Sequence, residues 1–309
     1  MKNLTTEEFQ CKLITPMFLG GSKPTKHSEL RPPSIRGGMR WWLRAMMGGV
    51  IGNNIVKLQT AEEFVFGSSN KCSSIIVKTI GNPKTSEYPR LPHKAPGNDA
   101  RRPALTPNDN FKISLTLAAT VRESEELIFN CAKYSLLLML CLGGLGTRSR
   151  RGFGDVQLST DSDIVNVIEN AHKFFLELKT KLSINFSGWD AFPLFPCLTR
   201  EYFKLTVSKE YSNWSEALTD LMNKMHTFDK TSPSRNAIGG VNKNKRQASP
   251  LIVHAKENLN EKGDKIINLY FSHFFTEQSA PYRIAKTDVE ALEKFIKEEF
   301  SAKEMEVFK

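Results

Sequence analysis

Apolar and polar positions along this chain change period several times, and each change marks an element. In residues 9–18, Phe9, Cys11, Leu13 and Met17 share one side, as in a strand whose successive side chains point to opposite faces. From Ser34 the spacing becomes helical, with a stripe of Ile35, Met39, Trp42, Leu43 and Met46. Pro32 and Pro33 precede it, Ser34 is its predicted cap, and Gly48-Gly49 its predicted stop. Residues 73–80 read as a second strand. Residues 81–110 are rich in Pro, Lys and Arg without a period and read as a long loop. In 111–121, Phe111, Ile113, Leu115, Leu117 and Ala119 alternate with Lys112, Ser114, Thr116 and Thr120, the mark of a strand packed on one side. An apolar helix over 123–142 and a short strand over 155–158 follow.

These elements run β-α-β-β-α-β, the ferredoxin-like order. An amphipathic helix over 163–182 and an irregular aromatic stretch over 183–200 are the predicted connector. The same order then returns: a strand over 202–207, a helix over 214–228, a polar loop over 227–249, and strands over 250–255 and 265–271. A helix follows, opened by a capping box of Thr287 and Glu290 and reaching residue 300, with a closing strand after it. The predicted class is α+β, two tandem ferredoxin-like (RRM-like) domains. Their predicted bounds are 1–160 and 201–309, with 161–200 between them.

The apolar helix ends in GGLGTRSRRGFG, residues 143–154, which holds five glycines and three arginines. Glycine lets backbone reach positive φ and approach other backbone closely. Arginine offers a forked, permanently charged donor suited to phosphate oxygens. A Walker loop or a dinucleotide loop runs strand, loop, helix. This one runs helix, loop, strand, has no Gly-Lys-Ser/Thr ending, and carries Ser149 where the third glycine of G-x-G-x-x-G belongs. Its predicted ligand is therefore a polynucleotide backbone, with glycine amides joining the arginines in the contact. The second half has no such loop.

Composition narrows the partner. The 309 residues carry a formal net charge of +10, which favours an anionic partner. The basic residues gather in sets: Lys23, Lys26, Arg31, Arg36, Arg40 and Arg44; Arg90, Lys94, Arg101 and Arg102; Arg148, Arg150 and Arg151; and Lys243, Lys245 and Arg246. Arg36, Arg40 and Arg44 recur every four residues and share a helix face. Trp42 lies on the apolar stripe, whereas Trp41 is placed to stack on a base. The five cysteines form no C-x-x-C pair, so neither a zinc site nor a disulfide framework is indicated. No carboxylate or histidine cluster has metal-ligand spacing, no G-x-S-x-G occurs, and no cofactor is expected. No apolar run reaches membrane-spanning length, so a cytoplasmic chain is the expectation.

GGLGTRSRRGFGDV (residues 143–156) closely resembles the glycine-rich loop of the CRISPR-associated RAMP superfamily. ELRPPSIRGGMRWWLRAMMGG (29–49) is similar to the N-terminal signature of one branch, the first-subunit family of type III-B (Cmr) effector complexes. RQASPL (246–251) resembles a motif in the second half of that family. The resemblance implies a non-catalytic subunit that contacts the 3′ region of a guide RNA and complementary target RNA and docks on neighbouring RAMP subunits. The residues expected at RNA are Arg31, Arg36, Arg40, Trp41, Arg44, Gly144, Gly146, Arg148, Ser149, Arg150, Arg151, Gly152, Phe153, Gly154, Lys243 and Arg246. Two alternatives stay open: a metal-independent RAMP endoribonuclease that uses His27 as general acid/base, and an RNA-binding module outside CRISPR.

Overall fold

The computed structural model describes residues 5–23, 25–118, 124–160, 163–186, 188–189, 192–242, 245–277 and 283–308; at 241, 242, 245 and 246 it describes backbone alone. The first half contains β1 (Thr6–Leu13), α1 (Pro32–Ile51), α2 (Ile55–Phe66), β2 (Ile75–Ile80), β3 (Thr85–Tyr88), β4 (Arg102–Leu105), β5 (Asn110–Leu117), α3 (Glu125–Leu142) and β6 (Val156–Leu158). Helix α4 (Ile164–Lys181) leads into the second half: β7 (Phe203–Val207), α5 (Trp214–Thr231), β8 (Gly240–Asn242), β9 (Lys245–Gln247), β10 (Leu251–Leu259), β11 (Lys265–Phe274), α6 (Lys286–Glu299) and β12 (Lys303–Met305).

Two four-stranded sheets result, ordered β2-β5-β1-β6 and β10-β11-β7-β12, with every pair antiparallel. With only its own four strands numbered in chain order, each sheet reads 2-3-1-4, the ferredoxin-like order, so the two-unit α+β fold is as the periodicity indicated. Phe9 sits opposite Ile113 and Cys11 opposite Phe111, which puts the alternating apolar positions of both strands on one face. That face packs under α1 and α3, where Ile35, Met39, Leu43, Leu136 and Leu138 are buried.

The second sheet is covered on both sides. Leu251, Val253, Ala255, Leu269 and Phe271 face α5 and α6. The alternate positions Phe203, Leu205, Ile252, Tyr270 and Phe274 join the core of the first half. Reciprocally, Ile14, Phe18, Ala104 and Phe153 of the first half enter the second core. The β11 residue Phe274 holds Trp41 and Trp42 of α1 at ring distances of 5.8 and 6.2 Å. Polar ties run beside this apolar seam: Lys12 Nζ to Glu257 at 2.7 Å, and a reciprocal pair between Gln157 and the Glu257 backbone at 3.0 and 2.9 Å.

Several elements differ from the sequence expectation. Helix α1 begins at Pro32, because proline suits the first helical positions, where an N–H has no partner to lose. Arg31 stands at the cap in place of Ser34, with no side-chain bond to the helix N-terminus. The helix also runs through Gly48-Gly49 to Ile51. A Cβ at Gly48 would lie 2.4 Å from the Phe195 ring, and one at Gly49 2.5 Å from the Leu198 carbonyl. The glycine pair is thus a seat for the 183–200 segment, not a stop. Helix α2 lay unread in 55–66; Asn54 caps it by accepting from Lys57 N–H at 3.0 Å. The long loop contains the β3–β4 hairpin, and the polar 227–249 stretch contains the end of α5, a 3-10 turn (Arg235–Ile238) and the β8–β9 hairpin. Helix α6 is capped at Ala285, whose N–H donates to Asp288 at 2.9 Å, not at Thr287 with Glu290.

Candidate nucleic-acid interface

The glycine loop leaves α3 at Leu142 and wedges between the two halves. Gly144 pairs with Asp155 in an isolated bridge, and Leu145 N–H donates to Gly154 O at 3.0 Å. Beyond Gly146, Thr147 N–H donates to Phe18 O at 2.9 Å. Arg148 takes a left-handed conformation, φ 64, ahead of a 3-10 turn at Ser149–Arg151. Gly152 N–H then donates to Val253 O of β10 at 3.1 Å, and Gly154 N–H to Pro16 O at 3.0 Å. For three of the five glycines this corrects the picture of amides turned toward phosphate. The amides of Gly143, Gly152 and Gly154 are bonded within the chain, and a Cβ on Gly154 would strike the Leu145 carbonyl at 2.0 Å. Phe153 is buried beside Phe18, ring centroids 5.4 Å apart.

Beneath the loop, Asp155 and His254 are fully buried. Asp155 accepts from Ala255 N–H at 2.7 Å, and its backbone N–H donates to Thr15 Oγ1 at 3.0 Å. His254 Nδ1 lies 2.9 Å from Gly143 O and 3.3 Å from Asp155 Oδ1. Burial pushes the Asp155 carboxyl above its ordinary range, against the opposing pull of His254 and the Ala255 amide.

The loop arginines reach across the junction. The Arg150 guanidinium donates to Ser249 O and lies 5.2 Å from the centre of the Trp41 ring. Arg151 donates to Ile238 O; burial, with Arg148 and Arg150 alongside, lowers it to about 10, still charged at neutral pH. Arg148 Nη1 points to Met222 Sδ at 3.7 Å. Ser249 is held in turn, its Oγ donating to Ala237 O at 3.1 Å. The RQASPL segment therefore braces the loop, a role that its place in the sequence does not reveal. Lys243 lies outside the described residues, and Arg246 is described in backbone only.

The helix arginines are engaged inside the chain. Arg40 donates to Glu62 at 2.7 Å, Phe66 O at 2.8 Å and Gly67 O at 2.9 Å. Arg44 meets the other oxygen of Glu62 at 2.6 Å, and Arg36 donates to Ile75 O at 3.1 Å. These contacts fasten α2 and β2 to α1. The helix unread in the sequence is thus what takes up the arginine face. Arg31 is half-exposed and lies 3.3 Å from Glu29. His27 is exposed in its loop. Among the described residues, no three His, Cys, Asp or Glu side chains stand in a metal-holding group. Nor is any helix long and apolar enough to cross a membrane.

What stays open at the junction is a cleft of about 160 Å³ lined by Gly38, Trp41, Trp42, Gly143, Gly144, Ser149, Arg150 and Ile252. It brings the Trp-Trp pair of α1, the loop and β10 together, three segments far apart in the sequence.

Two ferredoxin-like units locked through a glycine-arginine loop define a RAMP-class protein, and residues 10–157 match the RAMP superfamily. The chain is 32 % identical over 165 residues to the CRISPR system Cmr subunit Cmr1-1 of Pyrococcus furiosus, covering 49 % of this chain and 47 % of that one. It is 30 % identical over 175 residues to Cmr1-2 of the same organism, covering 48 % and 93 %. The chain belongs to the Cmr1 family of the RAMP superfamily, although the matched stretch spans only about half the length of Cmr1-1. The crystal structure of Cmr1 from Pyrococcus furiosus, in its apo form, has the same fold: TM-score 0.62 at 20 % identity over 97 % of this chain and 98 % of that one. A chain of the type III-B Cmr-beta complex bound to cognate target RNA gives 0.58 at 12 %, over 97 % and 99 %.

Proposed function

We propose that this chain is a non-catalytic, RNA-binding subunit of a type III-B CRISPR (Cmr) effector complex. In this reading it contacts the guide RNA 3′ region and target RNA, and it docks on neighbouring RAMP subunits. The observation that carries the reading is the junction cleft, where an aromatic face, a hydroxyl and a guanidinium converge. Trp41, with Arg150 over its ring, offers a base a stacking surface. Ser149 supplies a donor and acceptor, and Arg148 with the exposed Lys23 and Lys26 supplies phosphate contacts. Gly144, Gly146, Gly152, Gly154 and buried Phe153 hold the shape of the loop. Arg31, Lys243 and Arg246 remain proposed RNA contacts from the sequence; Arg36, Arg40 and Arg44 serve the fold. The units are 1–160 and 201–309, joined by 161–200.

The test is co-expression with sister RAMP subunits and a guide RNA, followed by capture on a tag carried by this chain. Capture of both, with oligouridine affinity that falls steeply as salt rises, supports the reading. Capture of neither, or site-specific RNA cleavage by the pure chain that His27→Ala abolishes, sinks it.

A further inference from the structure

The β3–β4 hairpin is seated across the junction of the two halves. The Tyr88 ring meets Trp214 of α5 edge-on at 5.8 Å, Ser28 Oγ donates to Pro103 O at 2.8 Å, and Ala104 is buried in the second core. This lays residues 89–101 against α5. There the His93 ring stands 5.4 Å from that of His226, the planes inclined at 36°. Arg148 arrives from the glycine loop at Met222, one helical turn before His226. Arg90 is close enough to Arg148 and Arg102 for their charges to oppose one another. Arg90 Nε, His93 Nδ1 and Arg148 Nε are all shielded from solvent without a hydrogen-bond partner.

Nearby carboxylates are committed elsewhere. Asp99 accepts from Arg101 at 3.1 Å, Asp229 acts on Arg151, and Asp220 accepts from Tyr211 at 2.6 Å and Lys224 at 2.9 Å. Among the described residues none pairs with Arg90, His93, Arg148 or His226. Orphaned buried donors and unneutralised like charges are both costly, and a bound anion relieves both at once.

We propose that Arg90, His93, Arg148 and His226 form a phosphate-binding site shared by the two halves of the chain. The site rests on the RNA reading above, and the phosphate it takes is one in the RNA backbone. Guanidinium forks from Arg90 and Arg148 and ring N–H donors from His93 and His226 suit a tetrahedral oxyanion. The groups facing His93 are His226 on α5, Lys94 beside it and Arg148 on the loop; Asp229, three residues beyond His226, sits with Arg151. Burial first, then these cations, hold empty His93 below its usual range. A seated phosphate reverses the repulsion and raises it, so the RNA enters with uptake of a proton. Affinity then climbs as pH falls, by up to about tenfold per unit, between the values of the occupied and the empty site.

The experiment is fluorescence anisotropy of a labelled oligouridine at fixed ionic strength between about pH 5.5 and 8. The wild-type chain tightens several-fold as pH is lowered. His93→Gln/His226→Gln gives a flatter profile, and Arg90→Gln lowers the logarithmic salt slope by about one. If the double variant melts early, His226→Gln alone is read, on its half-exposed helix face. Oligouridine binding with wild-type pH and salt profiles in these variants overturns the site and leaves the RNA reading standing. Failure of the wild-type chain to bind at all overturns both. Loss of sister-subunit capture with RNA profiles unchanged assigns the patch to an acidic protein and overturns the phosphate site.

Discussion

Replacing Arg40 with alanine separates a structural arginine from an RNA-contacting one. Its guanidinium caps the last carbonyls of α2 through Phe66 O and Gly67 O and shares Glu62 with Arg44. The side chain is 28 % exposed and that of Glu62 only 14 %. Charged hydrogen bonds are each worth about 1.5–3 kcal/mol when buried, and partial exposure cuts that. Three of them, together with the uncovered carbonyls, make Arg40→Ala cost about 2–3 kcal/mol. For a unit of this size that lowers Tm by roughly 5–10 °C. Arg44→Ala, which loses a single contact at 39 % exposure, costs about 0.5–1 kcal/mol. Arg40→Lys restores one bond in place of three and falls between. Differential scanning fluorimetry reads the first effect, and oligouridine anisotropy against salt reads the second. The salt slope of Arg40→Ala should match wild type. A variant with an unchanged Tm and a slope smaller by about one refutes the structural assignment and returns Arg40 to the RNA.

Gly152→Ala places a Cβ 2.7 Å from Leu218 at φ 72 and should cost about 1–3 kcal/mol in urea unfolding. Gly37→Ala, with nothing within 4 Å inside α1, should be neutral or stabilising by about 0.5–1 kcal/mol; equal midpoints for the two would contradict the wedged loop. For Asp155 the folded carboxyl titrates above its unfolded value, because burial disfavours the charge. Its neutral form therefore stabilises the fold fully below about pH 4, and that contribution fades as pH rises through the folded value. The stability gap between wild type and Asp155→Asn should thus shrink with rising pH; a gap independent of pH argues against it.

Elements with a clean period were legible in the sequence, and those whose reason lies in tertiary contacts were not. The alternation of Phe111, Ile113, Leu115 and Leu117 reports one buried face and gives β5 directly. Gly48-Gly49 misled because a glycine pair looks the same whether it ends a helix or receives a neighbouring segment; only Phe195 and Leu198 tell the two apart. Helix α2 escaped because its N-terminus exposes Ile55 and Val56, which blurs the apolar stripe of Leu58, Ala61 and Val65. With α2 unread, Glu62 had no place opposite Arg40 and Arg44, and their face read as free.

The glycine loop shows how far a motif constrains chemistry before its surroundings are known. Glycine and arginine mark the loop, but the same two properties serve backbone as readily as phosphate. Positive φ brings Gly152 within bonding distance of Val253 O, and Gly154 within that of Pro16 O, on opposite sides of the junction. Forked donors that suit phosphate oxygens also suit the carbonyls of Ser249 and Ile238. The loop therefore joins the two halves first. In the proposed RNA reading, what it would offer a ligand lies beside those contacts: the Ser149 hydroxyl, the part of Trp41 that Arg150 leaves open to the cleft, and Arg148, whose charge acts on His93. Because the same short segment holds the halves together and borders the cleft, a ligand seated there bears on both halves at once. Its binding would then add RT ln(1 + [L]/Kd) to the stability of the junction, with [L] the free ligand concentration.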